Sequence, residues 1–163
     1  ARILGLNSGA ERYADIAKKM AMKWEEMANE GDHYRLAFDR NNTWSQKYNI
    51  IWDKMWNLNI FPNNVISKEI NYYLTKQNLY GLPLDSRRDY TKSDWIMWTA
   101  AMSPNREIFE KFVDPLYKYI NETTSRVPIS DWHDTKTGRM TGFKARSVIG
   151  GYWIQVLMDK MNH

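Results

Sequence analysis

The 163-residue chain predicts an all-α fold built as three helical hairpins. Three observations carry that expectation: apolar residues recur at spacings of three and four in six segments, no segment alternates convincingly with period two, and short connections alternate with long ones. With 43% hydrophobic and 14% aromatic residues, the chain can fill one core and reads as one domain over residues 1–163.

The first helix carries Tyr13, Ile16, Ala17, Met20, Trp24, Met27 and Ala28 on one face, with Ser8 and Glu11 placed as a capping box. Thr43-Trp44-Ser45-Gln46 has the pattern of a second box, opening a helix striped by Tyr48, Ile51, Trp52, Met55 and Trp56. A third helix starts at Asn63 or Asn64 and carries Ile66, Ile70, Tyr73 and Leu74. The fourth begins at Thr91-Lys92-Ser93-Asp94, with Trp95, Trp98, Thr99 and Met102 inward, and Asp94 as a cap. Ser103-Pro104 ends it and starts the fifth, because serine caps and proline is tolerated at a first helical position. That helix carries Phe109, Phe112, Val113, Leu116, Tyr117 and Ile120, with a kink or break expected at Pro115. The sixth runs from about Ser147 to Met161 with Val148, Ile149, Tyr152, Trp153, Val156 and Leu157 on one face and Gly150-Gly151 allowing close approach.

The second and fourth connections, around Ile60 and Ser103, are a few residues long, while the first, third and fifth run to roughly a dozen or more. The chain crosses the structure twice between successive long connections, so all three long loops emerge at one end. That end is the predicted functional face. It gathers His33, Arg35 and Trp44 from the first loop, Asp85, Arg87 and Asp89 from the third, and Arg126, Asp131, Trp132, His133, Asp134 and Lys144 from the fifth.

The formal charge is +4, and Lys and Arg are scattered without a run, which argues against a nucleic-acid footprint. Zero cysteines exclude disulfides and thiolate chemistry. No apolar run approaches the roughly 18 residues of a membrane span, and the first residues are too short to form a signal peptide. The absence of an initiator Met suggests a processed chain or a part of something longer. His33, His133 and His163 lack metal-ligand spacing, so neither a metal nor another cofactor is expected.

Without metal or thiol, amide or glycosidic bonds can be hydrolysed by paired carboxylates in unequal surroundings. Asp85, Asp94, Asp131 and Asp134 are the candidates, with Asp131 and Asp134 flanking Trp132 and His133. Arg87 and Arg146 suit a substrate carboxylate, and Trp44, Trp95, Trp132 and His133 a substrate-binding surface. The competing reading is structural: loop Asp residues make turns and caps, arginines brace loops, and Trp stripes fill cores.

Several strings then carry a resemblance: His33-Tyr34-Arg35-Leu36-Ala37-Phe38-Asp39, Thr43-Trp44-Ser45-Gln46-Lys47-Tyr48-Asn49 with Trp52-Asp53, and Tyr80-Gly81-Leu82-Pro83-Leu84-Asp85-Ser86-Arg87. Tyr90-Thr91-Lys92-Ser93-Asp94-Trp95, Arg126-Val127-Pro128-Ile129-Ser130-Asp131-Trp132-His133-Asp134-Thr135 and Gly142-Phe143-Lys144-Ala145-Arg146-Ser147-Val148-Ile149-Gly150-Gly151 continue it in order. Together they resemble the six-helical-hairpin domain of glutaminase A family proteins over nearly the whole chain.

The resemblance implies an (α/α)6 toroid of which these three hairpins form the C-terminal half, hydrolysis of L-glutamine to L-glutamate and ammonia, and export to the cell surface, periplasm or medium. The implied partners are a small-molecule substrate, amino acid or sugar, and the remainder of the parent toroid. In that reading Arg87 or Arg146 holds the substrate carboxylate while Asp131 and Asp134 handle water and protons. Two alternatives stand beside it: a glycoside hydrolase-like toroid with Trp44, Trp95 and Trp132 stacking on sugars, and a non-catalytic binding module. Half a ring leaves inner faces exposed, which favours self-association and predicts no turnover by the isolated chain.

Overall fold

The structure, a computed structural model, describes residues 1–161, so His163 lies outside the described residues. Among the described residues six α-helices follow one another: α1 Asn7–Ala28, α2 Ile51–Met55, α3 Asn63–Leu74, α4 Ser93–Ala101, α5 Arg106–Glu122 and α6 Ile154–Met161. A 3₁₀ turn at Tyr48–Ile50 leads into α2 and a longer 3₁₀ helix, Ser147–Trp153, leads into α6. Two short strands, β1 Tyr90–Lys92 and β2 Trp132–Asp134, correct the purely helical expectation. They pair antiparallel with Tyr90 opposite Asp134, Thr91 opposite His133 and Lys92 opposite Trp132. Three residues are too few for alternation to register against the surrounding loop sequence.

Helix α4 is the hub. It packs against α5, α6, α2 and both 3₁₀ segments, and Ser93, Asp94, Ile96, Met97, Thr99, Ala100 and Ala101 are all buried. An apolar helix enclosed on every side needs no polar face, which is why its sequence is not amphipathic. Around it the core takes in Tyr34, Ile51, Val65, Ile70, Tyr73, Leu82, Phe112, Leu116 and Tyr119.

Helix starts differ from the sequence expectation in instructive ways. Ser8 lies inside α1, whose N-cap position is Leu6 without a side-chain bond. Thr43-Trp44-Ser45-Gln46 opens no helix, because the Gln46 amide instead spans to the carbonyls of Leu82 and Pro83 at 3.1 and 2.9 Å and accepts from Thr99 Oγ1 at 3.0 Å. Asn105, not Ser103, caps α5, its Oδ1 accepting from the Ile108 amide at 3.0 Å. Helix α5 runs unbroken through Pro115.

The apolar face of α1 is mostly open: Ala28 is buried, but Tyr13, Ile16, Met20 and Met27 are exposed. On α6 the buried residues are Ile154 and Met158, while Val156 and Leu157, and Trp153 just ahead of the helix, face outward. No helix among the described residues is long and apolar enough to cross a membrane.

The three long loops do converge. The first joins the third through Gln46 N to Leu84 O at 2.8 Å and Ser86 N to Trp44 O at 2.9 Å. The third joins the fifth through the β1–β2 ladder and through Tyr80 N to Thr135 O at 2.8 Å.

Candidate active site

Two polar centres occupy this loop end. The first lies where the first and third loops meet α4. Lys47, Tyr48, Asp85, Arg87 and Trp95 line an open cavity of about 370 Å³ together with Trp24 and Phe61. Asp85 is nearly buried and spends its carboxylate on Arg87, accepting from the backbone amide at 2.8 Å, Nε at 3.0 Å and a terminal nitrogen at 2.7 Å. That bidentate fork fixes Arg87 to its own loop, the bracing role that loop arginines often take. Trp95 stacks on Tyr48 with centroids 4.1 Å apart, so each ring offers one face only. Trp44 is buried against Tyr72 and Tyr73 and does not face the cavity mouth.

Beneath this wall lies a network that periodicity did not flag. Lys47 Nζ donates to the carbonyls of Tyr34 and Ser45 at 3.0 and 2.9 Å and lies 3.4 Å from the carboxylate of the buried Glu69. Glu69 accepts from the Tyr34 amide at 2.8 Å and from the Tyr73 hydroxyl. Burial lowers the Lys47 pKa, against the opposing pull of Glu69. The available signal was Glu69 itself, a carboxylate on the same helical stripe as Ile66, Ile70 and Tyr73.

The second centre lies between β1, the start of α4 and the residues ahead of the long 3₁₀ helix. Asp131 is fully buried, and one carboxylate oxygen stands 3.2 Å from both Lys92 Nζ and an Arg146 terminal nitrogen. Lys92 lies over the rings of Trp132 and Phe143, at 4.6 and 4.3 Å from their centroids, and Arg146 over Phe143 at 4.2 Å. Asp94, in the first turn of α4, is nearly buried and feels Asp131, Lys92 and Arg146 electrostatically. Burial and the Asp131 charge push its carboxyl up to about 6, against the pull of its own backbone amide and the two cations.

Among the described residues, five buried polar atoms of this centre have no hydrogen-bond partner: Asp94 Oδ1, Asp131 Oδ1, Trp98 Nε1, Trp132 Nε1 and Arg146 Nε. Buried polar groups are nearly always paired, so this concentration of orphaned donors and acceptors singles the centre out as the candidate site. Lys92 and Trp98 were missed by sequence reasoning. Lys92 was legible as the one cation in Thr91-Lys92-Ser93-Asp94.

Asp134 and His133 do not join this centre. Asp134 Oδ1 accepts from the amides of Lys136 and Thr137 and from the Thr137 hydroxyl at 2.9, 2.8 and 3.0 Å. Burial alone would raise its carboxyl, but these hydrogen bonds outweigh it and hold the pKa below the usual range. It therefore shapes the turn after β2 and shares no partner with Asp131. His133 is fully buried, bonded through Nε2 to the Tyr80 carbonyl at 2.8 Å. Among the described residues no three His, Asp or Glu side chains are grouped to hold a metal ion.

The chain is thus a mostly helical domain whose third and fifth loops, with the start of α4, bring two acidic and two basic side chains around orphaned buried polar atoms. Residues 1–156 match the glutaminase A six helical-hairpin domain, and the chain belongs to that family. It is 32% identical over 156 residues to Glutaminase A of Aspergillus oryzae, covering 91% of this chain and 22% of that protein. It is 26% identical over 191 residues to a probable glutaminase of Arthroderma benhamiae, covering 98% of this chain and again 22% of the relative. The chain thus spans about a fifth of the length of these relatives. No solved structure matches it.

Proposed function

We propose that this chain supplies one wall of the active site of a glutaminase-type amidohydrolase, and that Asp94 and Asp131 are its carboxylate pair. The observation that carries the reading is their unequal setting: Asp131 is pinned by Lys92 and Arg146, whereas Asp94 keeps a buried, unpartnered oxygen and a pKa raised to about 6. Such divergence separates proton-transfer from electrostatic roles in paired-carboxylate sites. Ionised at neutral pH, Asp94 takes a proton from the water that attacks the side-chain amide carbon of L-glutamine. The C–O bond forms, the C–N bond breaks, and the same proton passes to the departing nitrogen, which leaves as ammonia. The unspent Arg146 Nε and Trp132 Nε1 donors suit the substrate's α-carboxylate.

In this reading the parent is an exported protein and the remainder of a six-hairpin ring covers the open apolar faces of α1 and α6. The isolated chain gives no turnover and tends to self-associate through those faces.

The test is ammonia release from glutamine by the whole parent protein. Asp94→Asn lowers kcat by about a hundredfold or more, and the acid limb of kcat/KM lies near pH 6 in the unsubstituted protein. Unchanged turnover in Asp94→Asn removes the assignment. A sugar-processing activity is favoured by one observation, the Tyr48–Trp95 stack on the cavity wall. Assaying the parent on aryl glycosides beside glutamine separates the two.

A further inference from the structure

The carboxylate pair lies under a cover. Arg146 pairs with Asp131 at 3.2 Å, the Tyr152 hydroxyl donates to Ser93 Oγ at 2.6 Å, and Gly151 rests directly on α4. A Cβ at position 151 would stand 2.8 Å from Trp98 Nε1 and 3.1 Å from Asp94 Cβ. Ser93 and Asp131 are fully buried below this segment and Asp94 is nearly so, yet no residue of Ser147–Trp153 is itself buried. In this arrangement Asp94 is only 4% exposed, too little for an amide to reach it.

The cover is also weakly built. Its seven residues are 3₁₀ helix, longer than the usual run of about three or four, and such stretches often mark hinges. Gly150 and Gly151 sit in its middle, and Ala145 ahead of it adopts a left-handed φ of 51°, which an L-residue with a Cβ holds only under strain. Helix α6 beyond it is firm, anchored through the buried Ile154 and Met158.

We propose that residues 145–153 form a hinged strap, pivoting at Ala145 and at the junction with α6, that lifts off α4 to admit the substrate and closes over it. Arg146 is the latch: it leaves Asp131 on opening and takes the substrate's carboxylate on closing. The substrate's part in this rests on the amidohydrolase reading; the opening itself does not.

The native chain contains no cysteine, so a single introduced thiol reports on opening. Ser93→Cys lies beneath the strap, whereas Thr99→Cys is equally buried on the same helix but faces Gln46. Adding Arg146→Gln speeds thiol labelling of Ser93→Cys about tenfold and that of Thr99→Cys less than twofold. Equal acceleration at both positions, or none at either, overturns the strap. Hydrogen exchange on the unsubstituted chain gives an independent readout whether or not the cysteine variants fold: amides of residues 147–153 exchange at least about tenfold faster than those of 97–101. Equal protection of the two segments also overturns it. Neither readout uses turnover, so the strap fails here and the catalytic reading fails in the Asp94→Asn assay, separately.

Discussion

His133 lies flat against Tyr119, ring centroids 3.5 Å apart and planes within 9° of parallel. Its Nε2 faces the Tyr80 carbonyl, an acceptor only, so Nε2 carries a hydrogen. Burial holds its pKa down to about 4, while burial raises Asp94 to about 6. Between pH 6.5 and 4 the unfolded chain protonates His133 and the folded chain does not, so this group loses stability as pH falls. Asp94 does the reverse: between pH 6 and 3.8 the folded state holds the proton and gains stability as pH falls.

The two contributions therefore cancel between about pH 6 and 4. Asp94→Asn uncovers the histidine. Urea titrations show the stability of that variant falling more steeply than that of the unsubstituted chain across this window, by about 1.4 kcal/mol per pH unit. Parallel pH curves would contradict the raised Asp94 carboxyl, and a flat curve in the variant would contradict the neutral, buried His133.

Gln77 stands in for a missing backbone donor. Pro115 has no N–H for the Lys111 carbonyl one turn earlier in α5, and Gln77 Nε2 donates to that oxygen at 2.7 Å. Gln77→Ala costs about 0.5–1 kcal/mol, since the site is exposed to water. The cost disappears in the Pro115→Ala background, where the helix supplies its own donor, and a double-mutant cycle measures the difference.

The Lys47–Glu69 pair holds the first loop on α3. Lys47→Met strands a buried carboxylate and costs about 3 kcal/mol or more, read as a shift in the urea midpoint. Glu69→Gln costs less, because an amide oxygen still accepts from the Tyr34 backbone. The reverse order would show that the charge on Glu69 is not what Lys47 satisfies.

Adjacent glycines in the strap differ in kind. Gly151→Ala places a methyl group against Trp98 and Asp94 and lowers stability by about 1–3 kcal/mol, whereas a methyl at position 150 meets nothing within 4 Å. Gly150→Ala is neutral or slightly stabilising. Thermal unfolding of the two variants side by side checks the contrast.

Helices α3 and α5 were legible because their stripes keep a 3.6 period against a single core, save at Tyr117 of the α5 stripe, which is exposed. Helix α6 has the expected position but the opposite facing. Its approach is 3₁₀, which advances about 20° more per residue than an α-helix, so over Ser147–Trp153 the expected face rotates by roughly 140° and Ile154 and Met158 come inward. The α1 stripe predicts a buried face, yet within this chain little covers it; periodicity reports that a face is apolar, not what meets it.

The site was legible by residue type and only partly by partnership. Asp131 and Arg146 stand among the sequence candidates and do come together. The expected Asp131–Asp134 pairing does not form, because Asp134 has three local donors in its own turn. Asp94 and Asp131 are separated along the chain by all of α5, and the β1–β2 ladder, invisible as periodicity, together with the Ser93 N–H bond to the Asp131 carbonyl at 2.8 Å, brings them into register.

That ladder has a mechanical consequence. It ties residues 90–92 to 132–134 and so makes a closed ring of chain around α4 and α5, sealed again where the Tyr119 hydroxyl donates to the Ser130 carbonyl at 2.8 Å. A single backbone cut at the exposed Arg126–Val127 turn would open this ring without releasing either end. The nicked halves stay clasped, and the molecule keeps its shape with its chain in two pieces.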